Sequence, residues 1–132
     1  MARRLTIPVL LCLALSAGCS RTTATQGYHG VRADWSISSL EAKLPQPYRA
    51  SDVAAAAEGA LVRMGYTINE RTDSEDHALV VASPAQAGPL EKVVVRAIPS
   101  GRRVIVRIST RPLGDEDRAR IVLDEMLVLL GL

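Results

Sequence analysis

Leu90-Glu91-Lys92-Val93-Val94-Val95-Arg96-Ala97-Ile98-Pro99-Ser100-Gly101-Arg102-Arg103-Val104-Ile105-Val106-Arg107-Ile108-Ser109-Thr110 is the stretch that decides the fold. Two runs rich in β-branched residues, Leu90–Ile98 and Arg102–Thr110, flank the turn signal Pro99-Ser100-Gly101, the pattern of an antiparallel hairpin. With Ser100 and Gly101 as the central turn residues, Ala97 faces Val104, Val95 faces Val106 and Val93 faces Ile108. All six are apolar, so register and burial agree on one covered face. The opposite face carries Lys92, Arg96, Arg103 and Arg107, separated by Val94 and Ile105. These four cations form the candidate interaction face, suited to an acidic partner, lipid phosphates or an anionic envelope polymer. The competing account is a solvated face whose charges prevent aggregation.

Upstream of the hairpin, His77–Ser83 is apolar and β-rich, Arg71–Asp76 reads as a polar turn, and Tyr66–Glu70 as a short strand. Ser51 offers an N-cap with Asp52 behind it, and Val53, Ala57, Ala60, Leu61 and Met64 recur at helical spacing up to a stop at Gly65. The apolar face of that helix is mostly alanine, small enough to pack closely on a sheet. Leu40, Ala42 and Leu44 alternate with Glu41 and Lys43 as a half-buried strand does, and Pro45-Gln46-Pro47 ends it.

Downstream, Arg111-Pro112-Leu113-Gly114 breaks the chain, and Asp115-Glu116-Asp117 places acidic groups at the positive end of a second helix. Ala119, Val122, Leu123, Met126 and Leu130 form its expected buried stripe, with Arg120 and Asp124 spaced to pair. The expectation is an α+β domain: an antiparallel sheet of four to five strands with two helices on one face, in the order β-α-β-β-β-β-α.

The chain has 132 residues, 48% hydrophobic and 23% charged, which excludes collagen-like and wholly disordered classes. One Trp, three Tyr and no Phe require an aliphatic core and leave almost no stacking platforms for bases. Arg3 and Arg4, the apolar run Leu5–Leu15 and the small residues Ser16-Ala17-Gly18 before Cys19 have the layout of a secretory leader. The apolar run is too short to span a bilayer, which takes roughly 20 residues. Removing residues 1–18 takes Arg3 and Arg4 away, so the formal charge of +2 falls to a balance of 14 basic against 14 acidic side chains. A neutral, exported chain without interleaved aromatics is not a nucleic-acid binder.

Ser16-Ala17-Gly18-Cys19 resembles the lipobox of bacterial lipoproteins, which implies cleavage before Cys19 and acylation of its thiol. Cys12 leaves with the leader, so Cys19 is the one thiol of the processed chain, and no internal disulfide forms. By the same resemblance, Ser20 after the cysteine implies the outer membrane, facing the periplasm. Residues 19–34, rich in Ser, Thr, Gly and Gln, read as a lipidated flexible tether to a single α+β domain over 35–132. From Leu40 to Met126 the chain resembles a family of small bacterial lipoproteins of uncharacterised function. The likeness rests on Leu61-Val62-Arg63-Met64-Gly65-Tyr66 and on the late strand Val106-Arg107-Ile108 running through Gly114-Asp115-Glu116 to Ile121-Val122-Leu123-Asp124. It implies a fold and a lipid anchor, and no catalytic residue.

Nucleophilic catalysis needs a nucleophile, a base and an orienting group. The histidines are His29 in the tether and His77 at a strand start, and the sequence holds neither a Gly-x-Ser-x-Gly elbow nor a phosphate-cradling glycine loop. No catalytic residue, metal or cofactor is expected. Asp73, Glu75, Asp76 and His77 match no calcium-loop spacing and read as a solvated turn. The expected role is a membrane-anchored, non-enzymatic module with an envelope protein as partner. The alternative is a periplasmic carrier holding a small apolar or anionic ligand between sheet and helices.

Overall fold

A computed structural model describes residues 21–74, 76–86 and 88–132. The leader 1–18, the candidate lipidation residue Cys19, and Glu75 lie outside the described residues. Seven strands, β1 (Thr22–Gln26), β2 (Val31–Ser36), β3 (Ser39–Lys43), β4 (Thr67–Asp73), β5 (Ala78–Ser83), β6 (Lys92–Ser100) and β7 (Arg103–Arg111), form one antiparallel sheet. Their spatial order is β1-β2-β3-β7-β6-β5-β4. Helix α1 (Ala50–Arg63) packs on β4, β5 and β6, and α2 (Glu116–Leu130) on α1, β3 and β7. The class is α+β with two helices, as the alternating patterns require, but the sheet has seven strands rather than four to five.

Both additional strands come from the segment expected to be a tether. Val31, Ala33 and Trp35 are buried and alternate with Arg32 and Asp34, which is the period of a half-covered strand. Gly27 and Gly30, at φ 77° and 64°, let the chain turn back between β1 and β2. β1 is held from the helix layer by Gln26, which is only 8% exposed. Its amide nitrogen donates to the Arg120 carbonyl and to Asp124 Oδ1, both at 2.8 Å, and its carbonyl accepts from the Arg120 guanidinium at 2.9 Å. Arg120 also donates to the Thr22 carbonyl at 3.1 Å and pairs with Glu116 at 2.9 Å. The expected Arg120–Asp124 pair is therefore replaced by a clamp in which Gln26 takes Asp124.

The hairpin forms where expected with its register moved by two residues. Ser100 pairs with Arg103, so the central turn residues are Gly101, at φ 62°, and Arg102. A glycine with positive φ at the first central position suits the twist of the strands. Ala97 faces Val106, Val95 faces Ile108, and Val93 faces Thr110. A shift of two keeps every side chain on its expected face, since strand side chains alternate.

Helix α1 begins one residue before Ser51, with Arg49 at the N-cap position and no side-chain cap. At α2, Asp115 Oδ1 accepts from the Arg118 amide at 3.0 Å, and Gly131 at φ 75° closes the helix. β4 extends to Asp73 because Arg71, expected in a turn, pairs with Glu58 of α1 and with Asp73. The buried stripe of α2 is Ala119, Val122, Leu123, Met126 and Leu127, with Leu130 half-buried beside it. These side chains join those of α1 and the inward residues of β2, β3, β5, β6 and β7 in one aliphatic core, where Trp35 is the buried aromatic.

Candidate functional site

With both helices on one side, the outward side chains of the sheet form a second, open face. The register sorts them into rows. Thr72, Leu79, Arg96, Arg107, Glu41, Asp34 and Thr23 lie across the middle of all seven strands. One row toward the hairpin tip stand Ile98, Ile105, Lys43 and Arg32. On the other side of the middle row, beyond Val81, Val94 and Ser109, come Ser83, Lys92 and Arg111. Arg103 sits opposite Ser100 at the tip.

Lys92, Arg96, Arg103 and Arg107 therefore share one face, as the alternation requires. The two-residue register shift brings them closer to other cations than expected: Arg96 lies directly opposite Arg107 and Lys92 opposite Arg111. Three further cations join them that the sequence pattern does not place on this face: Arg111 precedes a proline and reads as loop, Arg32 falls within the expected tether, and Lys43 belongs to the strand pattern of Leu40–Leu44. The face thus carries Arg32, Lys43, Lys92, Arg96, Arg103, Arg107 and Arg111 against Asp34, Glu41 and Glu70.

The carboxylates on this face have partners. Arg107 donates to Glu41 Oε2 from Nε at 3.2 Å and from a terminal nitrogen at 3.0 Å, which neutralises one of the central cations. The Thr23 hydroxyl donates to Asp34 Oδ1 at 2.6 Å, with Arg32 Nε at 3.3 Å, and these contacts hold the Asp34 carboxyl below its ordinary pKa. No ion pair forms on Lys92, Arg96 or Arg103 among the described residues. Between the cations the floor is apolar: Val81 and Val94 are buried although they point away from the helices, and Ile98 and Ile105 are half-covered. Arg96 and Arg103 are exposed, and their guanidinium heads are open to an anion.

The other candidates resolve into structural roles. Ser74 ties its own turn, donating from its hydroxyl to the His77 carbonyl at 2.8 Å, while Asp73 is taken by Arg71. Among the described residues no group of three His, Cys, Asp or Glu is placed to hold a metal ion. Asp115 caps α2 and Glu116 holds Arg120. The alanine stripe of α1 lets that helix lie close on the sheet, with Ala54, Ala57 and Ala60 buried. No helix among the described residues is long and apolar enough to cross a membrane. Neither a protein-family model nor a curated protein matches the chain.

Proposed function

We propose that this chain is a lipoprotein of the bacterial envelope, anchored through Cys19, that acts without catalysis by binding an acidic surface of a partner protein on its open sheet face. The likeness to small envelope lipoproteins and the leader pattern ending at Cys19 support the anchor. The observation that carries the binding role is the pairing of like charges, Arg96 with Arg107, in directly opposed positions of two central strands. Like charges directly opposite one another destabilise a sheet. A face that needed only solubility would interleave the two signs.

In-cell crosslinking of the intact protein, with identification of the captured species by mass spectrometry, tests the role. Arg96→Glu together with Arg103→Glu should abolish capture without lowering the thermal melt, since neither side chain holds an ion pair among the described residues. Capture that survives both substitutions sinks the proposal.

A further inference from the structure

β1 starts at Thr22, three residues after Cys19. Three residues reach at most about 10 Å when fully extended. An acyl chain on Cys19 therefore holds the folded domain against the bilayer, with no length of tether between them.

The end of the sheet that meets the membrane follows from the register. Thr22 pairs with Trp35, Leu40 lies beside Trp35, and Ile108 and Val95 continue the row, so the start of β1, the β2–β3 turn, the end of β7 and the start of β6 share one end. That end carries three large aliphatic side chains on its loops, all strongly exposed: Ile37 at 79%, Leu90 at 72% and Leu113 at 80%. Its loops are in contact. A Cβ placed on Gly114 would lie 2.9 Å from the Ile37 carbonyl oxygen and 3.1 Å from the Trp35 ring, so the Leu113 loop rests directly on the β2–β3 turn.

Charge on the open-face side of this end complements an anionic headgroup layer. Arg21, Lys92 and Arg111 lie there beside the aliphatic tips. Of the carboxylates nearby, Glu91 and Asp115 lie 3.6 and 3.8 Å from the Arg118 guanidinium, and Glu116 holds Arg120, which leaves Asp117 and, two strands beyond Lys92, Glu70. Exposed aliphatic side chains flanked by cations are a composition that settles at the boundary of headgroups and acyl chains.

We propose that the end of the sheet bearing Ile37, Leu90 and Leu113 is seated in the headgroup layer of the membrane that holds Cys19, with Arg21, Lys92 and Arg111 on lipid phosphates. This rests on the acylation of Cys19 put forward above, and it adds an orientation. The strands stand up from the bilayer, and the open cationic face looks sideways, toward neighbours on the same membrane.

The test uses the full chain, processed in cells and reconstituted in vesicles of phosphatidylethanolamine and phosphatidylglycerol, with or without bromine on the acyl chains. Acylation blocks Cys19, so Ile37→Cys, Leu113→Cys and Tyr28→Cys each introduce one labelling site; Tyr28, 95% exposed, lies in the β1–β2 turn at the far end. The mass of each protein is measured first. With acyl chains present, a fluorophore at 37 or 113 should lose most of its emission in brominated vesicles, and one at 28 should lose none. Labels at 37 and 113 as wet as that at 28 overturn the seating and leave the anchor standing. Labels that are shielded without bromine quenching mean that a protein surface covers this end, and they also overturn the seating. A mass without acyl chains overturns the anchor and the seating with it.

Discussion

Replacing Gln26 with Leu probes the attachment of the first hairpin to the helix layer. The substitution keeps the volume of a nearly buried side chain and removes three hydrogen bonds to α2. Their losses are unequal. The Arg120 carbonyl lies within α2 and retains its helical partner, and Asp124 is exposed, so water replaces the lost amide at both. The Arg120 guanidinium is more sheltered, its side chain being 16% exposed, and it keeps Glu116 and the Thr22 carbonyl. One hydrogen bond to a partly buried charged group is worth about 1.5 to 3 kcal/mol, and the other two add little, so the expected cost is about 2 to 3 kcal/mol. At about 4 °C per kcal/mol for a domain of this size, the melting temperature should fall by about 10 °C. Thermal melts provide the measurement, with amide exchange showing whether protection is lost first in Thr22–Gln26. A fall of about 2 °C or less, with β1 still protected, would refute the claim that this clamp holds β1.

Thr110 is buried, and its hydroxyl accepts from the Asp115 amide at 2.6 Å and donates to the Leu113 carbonyl at 2.9 Å. Thr110→Val leaves both groups without their partner, so urea unfolding should show a loss of about 2 kcal/mol, with faster exchange in the Leu113 loop. Asp34 titrates below the ordinary carboxylate range because of the Thr23 hydroxyl and, secondarily, Arg32. A depressed folded pKa stabilises the fold above the unfolded pKa, and that contribution is lost as pH falls through the folded value. Thr23→Val should raise the Asp34 pKa toward its ordinary value in an NMR titration and move the loss to higher pH; an unchanged titration contradicts the assignment. Arg96→Thr removes one of two cations facing each other across β6 and β7, and should stabilise the fold by about 0.2 to 1 kcal/mol in a urea melt, because like charges in register oppose pairing. Destabilisation by Arg96→Thr would mean that this side chain serves the sheet and not a ligand.

The central hairpin, both helices and the sorting of residues between two faces were legible because each rests on a period: two in Val93–Ile108, 3.6 in Val53–Leu61 and Ala119–Met126. A period says which face a residue takes and leaves the register open in steps of two. For that reason the pattern groups Lys92, Arg96, Arg103 and Arg107 on one face, while the opposition of Arg96 to Arg107 depends on the register. The first hairpin is illegible for a different reason. Thr22–Gln26 has no apolar residue larger than alanine, and its place in the sheet depends on Gln26 reaching Arg120 and Asp124, nearly a hundred residues away. Nothing local announces such a contact. The alternation of Val31, Ala33 and Trp35 between Gly30 and the Ile37-Ser38 turn was the available signal.

That first hairpin alters the mechanics of the whole molecule. With residues 19–34 as a flexible tether, the domain would sample every orientation over the membrane, and a cationic face would meet partners from any side. With β1 beginning at Thr22 and bolted to α2 through Gln26 and Arg120, the anchor proposed at Cys19 would pull directly on the sheet and helix layer. The direction of the strands relative to the bilayer then becomes a property of the fold. A face that is presented at a fixed angle loses less orientational freedom when it binds, so modest electrostatic complementarity suffices for a neighbour held on the same membrane.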